Sequence, residues 1–280
     1  MLVYRKEKKL LFCPFVNQAK ILRIPDGIET IAEEAFSCRN RIETVILPES
    51  VKTIESKAFY NCRGLSQINL PDRITRIGSC AFHSCSSMQR VTLPSSLKAV
   101  GYSVFYACSS LVSVRFPKDL KYIASWAFSG CGSLLSVCFP DSLLKIGESA
   151  FEGCRSIENV MLPDSLKSLG PHAFASCVML DSIEFGIGLN VIPPYAFARC
   201  ENLNRVILTE GVEQIGKEAF AGCENLLTLQ IPESVIAIEP DAFLNCRHIM
   251  LFFPRIPVQR NTQKIPGSLF LNCSVLKLEI

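Results

Sequence analysis

The sequence has little of what catalysis usually draws on. It contains three histidines and one tryptophan in 280 residues. The histidines, His83, His172 and His248, occupy different positions of the pattern described below, so they do not converge on a triad. There is no GxxxxGK[ST] loop, no GxGxxG after a strand pattern and no HExxH. Charge is sparse and balanced, with 29 basic and 26 acidic side chains, 20% charged residues and a formal net charge of +3. That balance argues against nucleic acid as the main partner. Together with 49% hydrophobic residues, it excludes a disordered, solvating chain. No stretch approaches the ~20 apolar residues of a membrane span. Residues 10–16 contain Pro14 and lack a small-residue cleavage site, which makes a poor signal peptide. As sequenced, the chain reads as intracellular.

What is abundant is repeated. Phenylalanine recurs at Phe36, Phe59, Phe82, Phe105, Phe128, Phe151, Phe174, Phe197, Phe220 and Phe243, nine successive intervals of 23 residues. Alanine precedes each except Phe105, where Val104 stands. A cysteine lies three residues after nine of them, from Cys62 to Cys246, while the first unit carries its cysteine one place early, at Cys38. An imperfect further copy has Phe270 and Cys273.

With the phenylalanine as position 0, aliphatic residues fall at +6, +9 and +11, as in Leu65, Ile68 and Leu70. Alternation with polar residues at +8 and +10 has the period of a half-buried strand. The frequent proline at +12 (Pro48, Pro71, Pro94, Pro117, Pro140, Pro163 and Pro232) ends that strand, because proline has no N–H for a central ladder. Aliphatics at +15 and +18 then lead to a frequent glycine at +19. The spacing of alanine, phenylalanine and cysteine predicts one helical or 3₁₀ turn opposite the strand. Such a unit cannot bury its apolar face alone, whereas stacked units wall one another in. The expectation is an α/β repeat solenoid with one strand per unit.

The strand segment Leu65-Ser-Gln-Ile68-Asn-Leu70 and the wider unit from Leu70 to Cys85 resemble the BspA-like leucine-rich repeat, over roughly residues 20–280. The resemblance implies a horseshoe or arc, with a parallel sheet on the concave side and short helical or 3₁₀ turns on the convex side. It also implies adhesion to host or cell-surface proteins, the usual proposal for bacterial surface antigens with this repeat.

Residues 1–20 do not fit the pattern and read as an N-terminal cap, with a hairpin as its candidate form. Residues 21–254 form the array of 23-residue units, and 255–280 an irregular insertion with a terminal imperfect repeat. The strand-like end, Leu276 to Ile280, offers an edge through which chains could self-associate. Gly186 and Thr209 replace the proline in two consecutive units, and Pro193-Pro194 replaces the glycine bend between them, so Phe185 to Tyr195 should differ locally.

The 14 cysteines admit three readings. One per repeat beside alanine and phenylalanine suits a ladder of reduced, buried thiols. Adjacent coils about 4.8 Å apart would bring sulfurs within disulfide range, but parallel side chains point wrongly for its dihedral. Metal sites want facing Cys-x₂₋₄-Cys pairs, which the spacing does not supply. Reduced thiols in such number favour a reducing compartment.

Function in such an array resides on strand side chains that avoid the core. Positions +8 and +10 would align into two columns on a concave sheet of about 50 Å. The candidate protein-binding residues there are Arg90, Arg115, Met161, Glu184, Arg205, Ile207, Gln230, Leu251 and Phe253. Trp126 is either a binding anchor or packing between coils. The sequence therefore points to a non-enzymatic protein-binding or adhesion module without cofactor or metal, its partner a host, cell-surface or intracellular protein. The alternative is a structural or scaffolding segment of a larger intracellular protein.

Overall fold

The computed structural model describes residues 3–5, 8–12, 19–247 and 249–252. The expected insertion and terminal repeat at 255–280, with its edge strand, lie outside the described residues, as does His248.

The 23-residue period closes into one coil, and each coil contributes two strands rather than the expected one. The first column holds the strands at +8 to +10: Ile21–Arg23, Thr44–Ile46, Gln67–Ile68, Arg90–Thr92, Ser113–Arg115, Asn159–Met161, Ser182–Glu184, Arg205–Ile207, Thr228–Gln230 and Met250–Phe252. Between Ser113–Arg115 and Asn159–Met161 the coil has only a single bridge, Ser113 to Ser136. The second column runs through +17 and +18, from Thr30–Ile31 and Thr53–Ile54 to Gln214–Ile215 and Ala237–Ile238. Pairing between coils is parallel and in register in both columns, for example Asn159 with Ser182 and Arg205, and Tyr122 with Lys145 and Ser168. At the N-terminal end, Val3–Arg5 and Lys9–Phe12 form an antiparallel hairpin whose second strand continues the second column by pairing with Thr30–Ile31.

No helix occurs among the described residues, which corrects the expected helical or 3₁₀ turns. Around each phenylalanine, positions −2 and +2 have positive φ, as at Lys57 (56°) and Asn61 (55°) or His172 (56°) and Ser176 (59°). Helical φ is negative throughout, so these residues break any helix. The phenylalanine N–H also points along the solenoid: Phe151 donates to Ala173 O of the next coil at 2.8 Å, and Gly153 to Ala175 O at 2.8 Å. Intervening N–H groups close short turns inside the coil, as from Cys154 to Phe151 O. The turn is thus a third line of coil-to-coil backbone bonding, which offsets the cost of about 1–2 kcal/mol for each non-glycine residue held left-handed.

Inside these three lines, the ten phenylalanines form one continuous stack. Successive ring centroids lie 5.1–5.7 Å apart with planes within 14° of parallel. Beside them runs the cysteine ladder. Each thiol from Cys62 to Cys246 donates to the carbonyl of the phenylalanine one coil earlier, for instance Cys131 Sγ to Phe105 O at 3.2 Å. Burial pushes Cys62, Cys108 and Cys200 up to about 12. It also holds Cys85, Cys131, Cys154, Cys177 and Cys223 well above the ordinary 9.0. These thiols are protonated donors, not nucleophiles.

Near Tyr195 the expected local difference is the loss of one backbone bond. In regular coils the +19 N–H reaches back to the preceding coil, as from Gly170 to Ile146 O at 2.9 Å and Gly216 to Ile192 O at 2.8 Å. Pro193 has no N–H to give. The second column is interrupted there, between Ser168–Leu169 and Val191–Ile192, and also between Arg76–Ile77 and Ala99–Val100, where Gly101 stands at +19. Glycine at +19 elsewhere answers a steric demand: a Cβ on Gly147 would sit 2.4 Å from the Ser125 backbone nitrogen.

Gly147→Ala should therefore destabilise the chain by about 1–3 kcal/mol, whereas Gly132→Ala, whose Cβ would meet nothing within 4 Å, should be near neutral in the same urea titration. Phe151→Ala should cost about 3–5 kcal/mol. Eight thiols whose pKa is raised in the folded chain keep their protons where the unfolded chain loses them. Their stabilisation is complete below pH 9.0 and falls as pH rises, by about 1.4 kcal/mol per thiol per pH unit. The urea midpoint should hold from pH 7 to 8.5 and drop steeply above 9, and replacement of Cys108, Cys131 and Cys154 by serine should flatten that drop.

Candidate functional site

The strand period decides which side chains leave the core. In the first column, +9 points inward, with Val91, Val160, Ile183 and Leu229 buried, while +8 and +10 face solvent. Of the candidates, Arg90, Arg115, Met161, Glu184, Arg205 and Gln230 are exposed and Ile207 is half-buried. In-register pairing brings two sets together. Arg90 lies opposite Ser113 and Thr92 opposite Arg115, which puts both guanidinium groups on neighbouring strands. Two coils further on, Met161, Glu184 and Ile207 form one row, with Asn159, Ser182 and Arg205 beside it. Met161, 69% exposed, is the most exposed large apolar side chain of the described residues. Gln230 is one coil beyond Ile207, on a strand that lies against Arg205–Ile207, and stands opposite Phe252 on its other side.

Leu251 does not belong to this face. It is buried and pairs with Leu229, a core position. The coil after Phe243 is one residue shorter before its strand, and a one-residue slip carries every side chain to the other face. Met250 and Phe252 take the positions assigned to Leu251 and Phe253, and Phe253 lies outside the described residues. Asn69, at an outward position, serves the backbone instead: its amide accepts from Leu47 N–H at 2.7 Å and donates to Leu47 O at 2.9 Å.

Two features were not read from the sequence. A shallow groove lies beside the strand starts of the later coils, lined by Glu158, Met179, Asp181, Asn202, Asn204 and Asn225. Its amides ladder from coil to coil, Asn225 to Asn202 at 3.3 Å and Asn204 to Asp181. The signal was a column of asparagine and acid at +5 and +7, visible once the units are aligned. On the turn side, Tyr60, His83 and Tyr106 stack at 4.8 and 4.6 Å, and Trp126 tilts against Tyr106 at 6.4 Å. Trp126 is half-buried there, with φ of 63°. Burial between the two tyrosines pushes His83 below its ordinary pKa, which suits packing of the neutral ring.

No group of three or more His, Cys, Asp or Glu side chains among the described residues is placed to hold a metal ion, and no described helix is long and apolar enough to cross a membrane. The open face offers two arginines at one end and a mixed row of thioether, carboxylate and aliphatic groups at the other. That combination suits contact with another macromolecule's surface better than enclosure of a small molecule.

The model of the BspA type leucine rich repeat region matches residues 13–135 and 126–250. No curated protein matches the chain. Among solved structures, it is similar to a leucine-rich repeat protein from Bacteroides ovatus, at 22% identity and a TM-score of 0.55, covering 99% of this chain and 88% of the other. It is similar to a leucine rich cell surface protein from Faecalibacterium prausnitzii, at 22% identity and a TM-score of 0.52, covering 99% and 92%. It is also similar to the pneumococcal vaccine antigen PcpA, at 22% identity and a TM-score of 0.59, covering 96% and 78%. At these identities the likeness is one of fold.

The open face also carries a reporter of its own accessibility, because Cys138 is exposed at a +10 position. Alkylation of the native chain, mapped by peptide mass, should modify Cys38 and Cys138 within minutes. The nine thiols from Cys62 to Cys246 at the +3 position should react only after denaturant is added.

Proposed function

Because the chain belongs to the BspA-type leucine-rich repeat family, whose members are generally non-enzymatic interaction or surface modules, we propose that it is a protein-binding or adhesion module working through the open face of its first sheet. The observation that carries this reading is the in-register row Met161, Glu184 and Ile207 beside Arg205. It places exposed apolar area next to charge on a three-stranded parallel sheet whose central strand, Ser182–Glu184, is hydrogen-bonded on both sides. A rigid surface loses little conformational entropy on binding, and apolar contacts with a polar rim are what protein interfaces use. Two proteins of similar fold are a cell-surface protein and a vaccine antigen, which supports a host or cell-surface protein as the partner.

Scaffolding within a larger intracellular protein is the second reading. The thiol ladder favours it, since nine protonated sulfurs serve as hydrogen-bond donors in the core and such donors persist where thiols stay reduced.

The test is surface plasmon resonance of the immobilised chain against a panel of extracellular-matrix and cell-surface proteins. Arg90→Glu, Arg115→Glu, Met161→Glu and Ile207→Glu, combined, should leave the thermal transition within a few degrees of the parent. They should weaken any specific partner by about 2 kcal/mol or more. Unchanged affinity in a folded variant would rule out this face as the binding surface.

A further inference from the structure

The second column carries a feature that the protein-binding reading does not use. At +16 or +17, six consecutive coils each supply one cation: Lys52, Arg76, Lys98, Lys121, Lys145 and Lys167. The coils on either side do not, since those positions hold Glu29 and Thr30 before the run and Asn190 and Val191 after it. All six are exposed except Lys121, which is half-buried. The coils repeat at about 4.8 Å, so the cations form a ladder of about 24 Å along the solenoid. Lys52 pairs with Glu29 at 2.8 Å and Lys98 with Asp119 at 3.0 Å, both pairs well exposed on the lysine side. Among the described residues, Arg76, Lys121, Lys145 and Lys167 make no ion pair within 4 Å, although Glu55 lies near Arg76 and Asp119 near Lys121. A chain of net charge +3 has thus gathered six positive groups on one narrow track.

We infer that this track is a binding site for a linear anionic polysaccharide, sulfated or uronate-bearing, lying along the solenoid axis. Three observations select that ligand among polyanions. First, the backbone under the track is paired between coils from Lys98 to Lys167: Lys121 N–H donates to Lys98 O, Lys145 N–H to Lys121 O and Lys167 N–H to Leu144 O; the one division of the column within the run falls between Arg76–Ile77 and Ala99–Val100. An acidic peptide would find no free strand edge to extend and no pockets for alternate side chains, the two sources of peptide affinity and specificity on sheets. Second, Tyr122, 48% exposed, stands in register between Ala99 and Lys145. Its ring offers an apolar face to pyranose C–H groups amid the cations. Third, extended pyranose chains advance by about one coil spacing per sugar, so a charge on every sugar or every second sugar meets the ladder in step. Nucleic acid would want a row of aromatic platforms for successive bases; here one tyrosine, Tyr122, serves six coils.

The experiment is fluorescence anisotropy of the full chain with three labelled probes at matched charge: a heparin oligosaccharide, poly-L-glutamate and a single-stranded DNA oligonucleotide. The heparin oligosaccharide should bind at least about tenfold tighter than the other two near 0.15 M salt and weaken steeply as salt rises. K98E/K121E/K145E should lower its affinity by at least about tenfold, while R90E/R115E/R205E, which removes as much positive charge from the first sheet, should change it by less than about threefold. K98Q/K121Q/K145Q repeats the test should the charge-reversed chain fail to fold. Equal losses in the two triple variants would show general charge attraction and overturn the site, and equal or tighter binding of poly-L-glutamate or DNA would overturn the ligand. The first-sheet variants that test protein binding share no residue with the ladder triples, so the two readings fail separately.

Discussion

Coil-to-coil hydrogen bonding on three sides imposes a repeat of about 4.8 Å, and a chain that accepts it must place every residue on top of its own counterpart one period away. Whatever stands at one position meets the same position above and below. A phenylalanine at position 0 therefore stacks on phenylalanine, ring planes within 14°, and a cysteine at +3 reaches the phenylalanine carbonyl of the coil before. A +19 residue faces the preceding coil so closely that Gly147 has no room for a Cβ. The composition follows from this constraint. Cysteine is small enough for its slot and brings a donor to a buried carbonyl that otherwise shares only a short intra-coil turn bond.

The constraint also decides where function can be written. Core positions are held by stacking, and the backbone groups of both sheets are occupied, so variation is free only on outward side chains. Two outward tracks result. The first-sheet face alternates polar and apolar groups, with Met161, Glu184 and Ile207 in one row. The second-sheet track concentrates positive charge from Lys52 to Lys167, with Ala99, Tyr122 and Leu144 among its other residues. In a solenoid, a linear series of substitutions at one position becomes a linear surface, so this scaffold presents extended partners with extended sites.

Where the period is broken, the structure departs in a predictable sense. Pro193 removes the N–H that a +19 residue gives to its neighbour. The coil after Phe243 shortens by one residue before its strand, and Leu251 turns inward. The change at Pro193 leaves the phenylalanine stack intact, with Phe174 and Phe197 5.7 Å apart and their planes within 5° of parallel.

The sequence by itself determined the solenoid, its period, the buried phenylalanine and cysteine ladders, and the outward side of the first strand. Each of these depends on spacing alone, and a spacing repeated ten times admits one stacking register. Tertiary structure alone decided the rest. The Ala-Phe-x-x-Cys spacing is compatible with a helical turn, and only the neighbouring coil, by offering carbonyls to alternate N–H groups, selects the left-handed residues at −2 and +2. The second strand at +17 and +18 has two residues, too short for a period to be read, and exists because the next coil pairs with it. Leu251 was placed outside by counting and inside by its pairing with Leu229, since the direction of a side chain on a strand is set by register with its neighbour and not by distance along the chain.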